Sequence, residues 1–210
     1  MTPILRVGLI ILVVMGVGVA WVYWPSHADP KSSDMHERLT AVTELVGSSG
    51  SASLDTLGDL AGDAELRVAL AAVRAIGSRR DEASRLKLKH IATKNKNGVL
   101  RGTAAAELGR FEKTDYRLLT GILLNDESPK ARSGAARGLK RLHNSAALGA
   151  LVKALTDPDP DTRRNVYEAI GSATAIRFRF DASAEPETQA ENIAGIKRRL
   201  ASIKRDMHPD

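Results

Sequence analysis

Residues 155–171 read LTDPDPDTRRNVYEAIG, and their spacing decides the fold. Asp157 opens a turn carried by Pro158 and Pro160, Arg163 follows six residues after Asp157, and the stretch closes on Ile170-Gly171. Proline fits the first turn of a helix and little of its interior, so these prolines are read as turning the chain between helices, with Pro at a first helical position. The same frame recurs upstream. Ile76-Gly77, Leu108-Gly109 and Leu139-Lys140 precede Ile170-Gly171 in steps of 32, 31 and 31, and Asp63, Asn95, Asp126 and Asp157 keep the same steps. Arg101, Arg132 and Arg163 each lie six residues past the last three of these. Self-similarity at this period marks a solenoid, whose units cannot bury their apolar faces alone.

Each unit reads as two helices. The second helices, Leu100 to Phe111, Ala131 to Leu142 and Thr162 to Ser172, place small or apolar residues three and seven positions past the arginine, one packing stripe in which Ala and Gly permit close approach. The first helices are predicted over Asp81 to Thr93, Thr114 to Leu124 and Ser145 to Leu155, with two more upstream over Asp34 to Val46 and Ser53 to Ala61. After Gly171 the pattern breaks. Residues 173–185 read as an irregular connection, and 186–210 as a final helix and tail whose Ile193, Ile196, Leu200, Ile203 and Met207 form one narrow stripe, opened by Thr188 and Glu191 at capping-box spacing. A polar-backed terminal helix, with Lys197, Arg198 and Arg199 outward, is what an open solenoid end requires.

The stretch from Asp63 to Ser172, best seen in LTDPDPDTRRNVYEAIG and in LLNDESPKARSGAARGLKRL (Leu123 to Leu142), resembles HEAT-type repeats, in particular the short bacterial variety typified by phycobilisome lyases. The resemblance implies an all-α solenoid of four to five helical hairpins over residues 34–172. It also implies a structural ladder between stacked units formed by Asp63, Asn95, Arg101, Asp126, Arg132, Asp157 and Arg163. The unit at Asp63 departs from the pattern, because Ala69 holds the arginine slot.

Charge is concentrated as well as positive. The net charge is +6, but residues 67–141 alone hold 18 Lys and Arg against 7 Asp and Glu. Arg74, Arg110, Arg137, Lys140, Arg141 and Arg164 fall on second helices off the packing stripe, so they are expected on the concave face as a candidate groove for an acidic partner.

At the other end, residues 7–24 (VGLIILVVMGVGVAWVYW) carry no charge, and eighteen helical residues cover about 27 Å, close to a hydrocarbon core. After a short segment, 1–6, this stretch is predicted as a transmembrane signal anchor with Trp21, Tyr23 and Trp24 at the interface, followed by a linker over 25–33. Arg6 before it favours a cytoplasmic N-terminus and a periplasmic or otherwise extracytoplasmic repeat domain on an inner or plasma membrane. Cleavage near Ala28 and secretion is the alternative.

Composition removes whole classes of chemistry. There are no cysteines, and the five histidines show no helical pairing that would ligate a metal. Deoxyhypusine hydroxylases, which share the HEAT-like fold, need several His-Glu pairs, and this chain has one, His36-Glu37. Eight aromatic residues are too few for serial base stacking, which weighs against nucleic acid. No catalytic, metal or cofactor residue is predicted. The expected function is a non-catalytic, membrane-anchored protein-interaction scaffold, an accessory subunit or assembly factor of a membrane complex. A lyase-type enzyme or a basic-groove nucleic-acid binder is the alternative.

Overall fold

The computed structural model describes residues 12–15, 18–21, 28–48, 50–111, 116–176, 178 and 181–207. Ten helices are described: α1 (Met35–Val46), α2 (Ser51–Leu60), α3 (Leu66–Ser78), α4 (Glu82–Lys94), α5 (Gly98–Leu108), α6 (Tyr116–Asn125), α7 (Pro129–Leu142), α8 (Leu148–Ala154, entered through a 3-10 turn at Ser145–Ala147), α9 (Pro160–Thr174) and α10 (Pro186–Met207).

Local chemistry explains the boundaries. Asp34, Asp81, Asn97 and Asp159 each accept a backbone N–H of the first helical turn, satisfying donors that have no intrahelical partner. Pro129 and Pro160 occupy first helical positions. His143 (φ 49°) and Ala175 (φ 56°) end α7 and α9 in the left-handed region.

Pairs α2/α3, α4/α5, α6/α7 and α8/α9 form hairpins, while α1 packs on α3 in the position a second helix takes in the later units. One apolar cluster runs through all of them, including Val68, Ile76, Leu108, Leu119, Leu139 and Ile170. The two layers differ in their spacing. The second helices α3, α5, α7 and α9 lie directly on one another. Among the first helices, α2 and α4 are parted by a cleft of about 530 Å³ lined by Leu54, Ala83 and Leu86, and α4 and α6 by one of about 650 Å³ lined by Ala92, Leu118 and Ile122. A tight layer backed by a splayed one curves the array, with the second helices on the concave side.

The tightest step is α5 on α7. A Cβ on Gly134 would fall inside the Gly102 backbone, one on Gly102 inside the Lys130 carbonyl, and one on Gly109 inside the Gly138 backbone. Backbone meets backbone there because these four positions have no side chain.

At the C-terminal end α10 lays Ile193 and Ile196 on the core, with Leu200 partly buried and Lys197, Arg198 and Arg199 exposed. The helix starts at Pro186, so Thr188 lies inside its first turn instead of capping it. The Tyr167 hydroxyl donates to the Phe178 carbonyl, tying the connection to α9.

The expected helix over 7–24 is not what the described part of that stretch forms. Leu12–Met15 and Gly18–Trp21 are two antiparallel strands, β1 and β2, with Leu12 opposite Trp21 and Met15 opposite Gly18. Val13, Val14 and Val19 are β-branched and stiff in a helix, and glycine costs a helix about 1 kcal/mol, so outside lipid the composition favours extended backbone. Among the described residues no helix is long and apolar enough to cross a membrane. Segment 1–6, the rest of 7–24, Ser26-His27 and residues 208–210 lie outside the described residues.

The glycines give a paired prediction. Gly134→Ala should lower stability in urea unfolding by about 3 kcal/mol, because the intruded atoms are backbone and cannot swing away. Gly121→Ala in α6, where an added Cβ meets nothing within 4 Å, should raise it by about 0.5–1 kcal/mol through helix propensity.

Candidate functional site: the ladder and the concave face

The ladder arginine is always the fourth residue of a second helix, and its acceptor stands two residues before the cap of the next. Arg101 places Nε and Nη2 on the two Asp126 oxygens at 2.8 and 2.7 Å, while Nη1 donates to the carbonyls of Asn95 and Lys96 at 2.9 and 3.1 Å. Arg132 repeats this on Asp157 (2.7 and 2.9 Å) and on the carbonyls of Asp126 and Glu127. The planar guanidinium suits the task, since one edge serves a carboxylate and the far nitrogen a loop. Each carboxylate also receives a local N–H: Ser128 donates to Asp126 and Asp159 to Asp157, both at 2.8 Å.

The chain of rungs begins earlier than the sequence reading placed it. Arg38 of α1 forks onto Asp63 at 2.7 and 3.1 Å and donates to the Ser32 and Ser33 carbonyls. Its signal was present, because 38 to 63 is the same 25 residues as 101 to 126 and 132 to 157. At the far end Arg163 finds no next aspartate and directs Nε and Nη2 to the Ala182 carbonyl instead.

One rung is missing. At the α3/α5 step the fourth helical residue is Ala69, fully buried, and the acceptor position holds Asn95, whose side chain receives the Asn97 N–H at 2.8 Å. The cation and the anion are thus both absent from these two positions. No uncompensated charge is left at this step, and a lone buried carboxylate is the expensive outcome.

The six candidate groove residues are all exposed at the residue level, but they are not equivalent. Arg74 and Arg137 carry no ion pair among the described residues. Arg110 and Arg141 converge on Glu107, which is 8% exposed: Arg110 Nε is 3.1 Å from its Oε2 and Arg141 Nη1 3.5 Å from its Oε1. Arg141 also donates to the Ala106 carbonyl at 2.6 Å. Burial pulls the Arg141 guanidinium below its ordinary value; Glu107 opposes this and nearby Arg110 and Arg137 add to it. Lys140 pairs with Glu168 at 3.0 Å and Arg164 with Asp161 at 2.6 Å. Thus four of the six are engaged within the fold.

Glu107, which the sequence reading missed, sits among a second set of contacts at the helix C-termini. Arg80 donates to the Arg110 carbonyl (2.8 Å), and Ser172 Oγ to the Lys140 carbonyl (2.8 Å). Arg79 reaches the Ser48 and Gly50 carbonyls and fixes the α1–α2 loop. Terminal carbonyls of helices need such donors. Ser172 Oγ also lies 2.7 Å from His143 Nδ1, linking the C-terminal ends of α7 and α9. Among the described residues no cluster of His, Asp or Glu is placed to hold a metal.

With this geometry in place, the comparison with known families is direct. The family model described as HEAT repeats matches residues 31–109 and 117–185. This is more than half of the chain, which therefore belongs to the HEAT-repeat family. No curated protein matches it. Among solved structures, a designed armadillo repeat protein is similar at 19% identity and TM-score 0.43, over 86% of this chain and 90% of that one. An engineered protein from a structural genomics programme is similar at 16% identity and TM-score 0.43, over 70% and 76%.

Two predictions follow from the rungs. Arg132→Ala leaves the Asp157 side chain, 6% exposed, without its partner and should cost about 3–5 kcal/mol in urea unfolding. Ala69→Arg and Asn95→Asp, each unfavourable alone, should couple favourably by about 1 kcal/mol in a double-mutant cycle.

Acid should act through the same carboxylates. Burial raises the Asp63 and Asp126 carboxyls, but the forks from Arg38 and Arg101 and the N–H groups of Glu65 and Ser128 outweigh it and hold both below the ordinary range. A depressed folded-state value means the stabilisation is complete above the unfolded value, about 4, and is lost as pH falls through the folded one. Urea midpoints measured from pH 5 down to pH 2 should fall steeply below about pH 4, and less steeply in Asp126→Asn.

Proposed function

We propose that this protein is a non-catalytic scaffold that binds a partner protein on its concave face and is held at a membrane by residues 7–24. The observation that carries this reading is the charge of the concave surface: helices α3 and α7 contain no acidic residue, and they expose Arg67 and Arg74, and Lys130, Arg137, Lys140 and Arg141. A cluster of exposed cations on rigid helices attracts an acidic partner from a distance and orients it on arrival.

The anchor reading is supported by eighteen uncharged residues followed by interfacial aromatics. A lone two-stranded ribbon leaves its outer N–H and C=O groups unpaired, which hydrocarbon does not tolerate, so insertion requires β1 and β2 to give way to a helix. Arg6 ahead of the stretch supports a cytoplasmic N-terminus with the solenoid on the opposite side, near the partners of a membrane complex. Tethering raises the local concentration of the concave face there, so modest contacts suffice.

The full chain should stay in the membrane fraction through high-salt and carbonate washes, and crosslinking after mild solubilisation should recover one dominant acidic protein. A soluble species beginning at Asp29 would count against the anchor, and absence of any crosslinked partner against the scaffold.

A further inference from the structure

The basic residues of the concave face fall into register. The second residues of α3, α5, α7 and α9 are Arg67, Val99, Lys130 and Asp161, and the ninth are Arg74, Ala106, Arg137 and Glu168. Both rows therefore read cation, neutral, cation, anion. Arg67, Arg74, Lys130 and Arg137 are all exposed. The three arginines carry no ion pair among the described residues, and Lys130 has one long contact, 3.4 Å to Asp161.

Between these cations lies α5, recessed because it packs closely on α7. Of its residues only Gly98, Val99 and Thr103 are partly open, and the Thr103 hydroxyl is already spent on the Val99 carbonyl at 2.8 Å. The result is a shallow trough with two cations on each wall and a floor whose own side chains, Val99, Thr103 and Ala106, are uncharged; the Arg141 guanidinium reaches onto it at the Ala106 carbonyl and adds a further cation at the Arg74/Arg137 end. Seven helical residues separate the members of a wall by about 10 Å. Two interhelical steps separate the walls by about 16–20 Å. At the next step the sign reverses with Asp161 and Glu168, which closes the trough electrostatically on that side.

We infer that Arg67, Arg74, Lys130 and Arg137 form a seat for an extended acidic segment of a partner protein, crossing the helices with small residues over α5 and a carboxylate group at each wall. An extended chain advances about 3.3 Å per residue, so the two acidic groups should stand five to six residues apart. This inference rests on the scaffold reading and adds the chemistry and spacing of what is bound.

Two fluorescein-labelled peptides of equal composition test it on the full chain in detergent at 0.15 M salt: Glu-Glu-Ala-Ala-Ser-Ala-Glu-Glu, and a control with all four glutamates adjacent. The spaced peptide should bind at least about fivefold tighter in fluorescence polarisation. R74E/R137E should weaken it by at least about tenfold, and R74Q/R137Q should give the same ranking should charge reversal impair folding. The charge-matched outer variant K89E/K94E should change affinity by less than about threefold. Equal binding of both peptides overturns the spacing, and equal loss in the inner and outer variants overturns the seat. Tighter binding of a 12-nucleotide single strand or of phosphatidylglycerol vesicles, lost in R74E/R137E, would overturn the partner class. A partner crosslinked equally by wild type and R74E/R137E leaves the scaffold standing and removes only the seat, whereas failure of wild type to crosslink any partner removes the scaffold.

Discussion

The close approach of α5 and α7 is the constraint on which the rest of the structure depends. With Gly102, Gly109, Gly134 and Gly138 at the contact, the two backbones meet without intervening side chains. The first helices carry leucines and isoleucines and stand farther apart. Unequal spacing of the two layers is curvature. It places the second helices on the inside, recesses α5 and turns the off-stripe positions of α3 and α7 toward a common space.

Packing of this kind is slippery, because small apolar surfaces can slide by a turn at little cost. The arginine forks remove that freedom. Each ties a loop to its own helix through two carbonyls and to the next unit through a carboxylate, so a shifted register would strand a mostly buried ion. The forks are therefore read best as a register device laid over a packing interface. Their value lies in the cost of the alternatives more than in net stabilisation of the native state.

Much of this was readable from residue spacing. The 31- or 32-residue period, the helical stripes and the six-residue interval from acid to arginine are local regularities, and local regularities survive in sequence. Arg38 shared the 25-residue interval to its acceptor but sat outside the stretch where the repeat was strongest. Glu107 left no such trace: Arg110 is near it in sequence, but Arg141 arrives from the next unit, so their convergence exists only once α5 and α7 are stacked. That convergence is why Arg110, just past the end of α5, and Arg141 are structural, whereas Arg137 has no ion pair among the described residues. The N-terminal stretch was ambiguous for a different reason, since a valine- and glycine-rich apolar run suits a strand in water and a helix in lipid, and its solvent is not written in its composition.

The missing rung bears on how the concave trough behaves. Its two walls are attached to the floor by different means. The α7 wall is joined to α5 by backbone contact and by the Arg101–Asp126 fork. The α3 wall has neither: Ala69 and Asn95 hold the positions of a fork, and Gly77 meets α5 through the Glu107 side chain, 2.8 Å from where a Cβ would stand. Side chains rotate at a cost of about 1 kcal/mol, whereas interlocked backbones do not yield without unpacking. Displacing α3 relative to α5 therefore breaks fewer directed interactions, chiefly the hydrogen bond from Arg80 to the Arg110 carbonyl, than displacing α5 from α7 or α7 from α9. Because Arg67 and Arg74 ride on α3, the width of the trough depends on the one junction that lacks a charged fork.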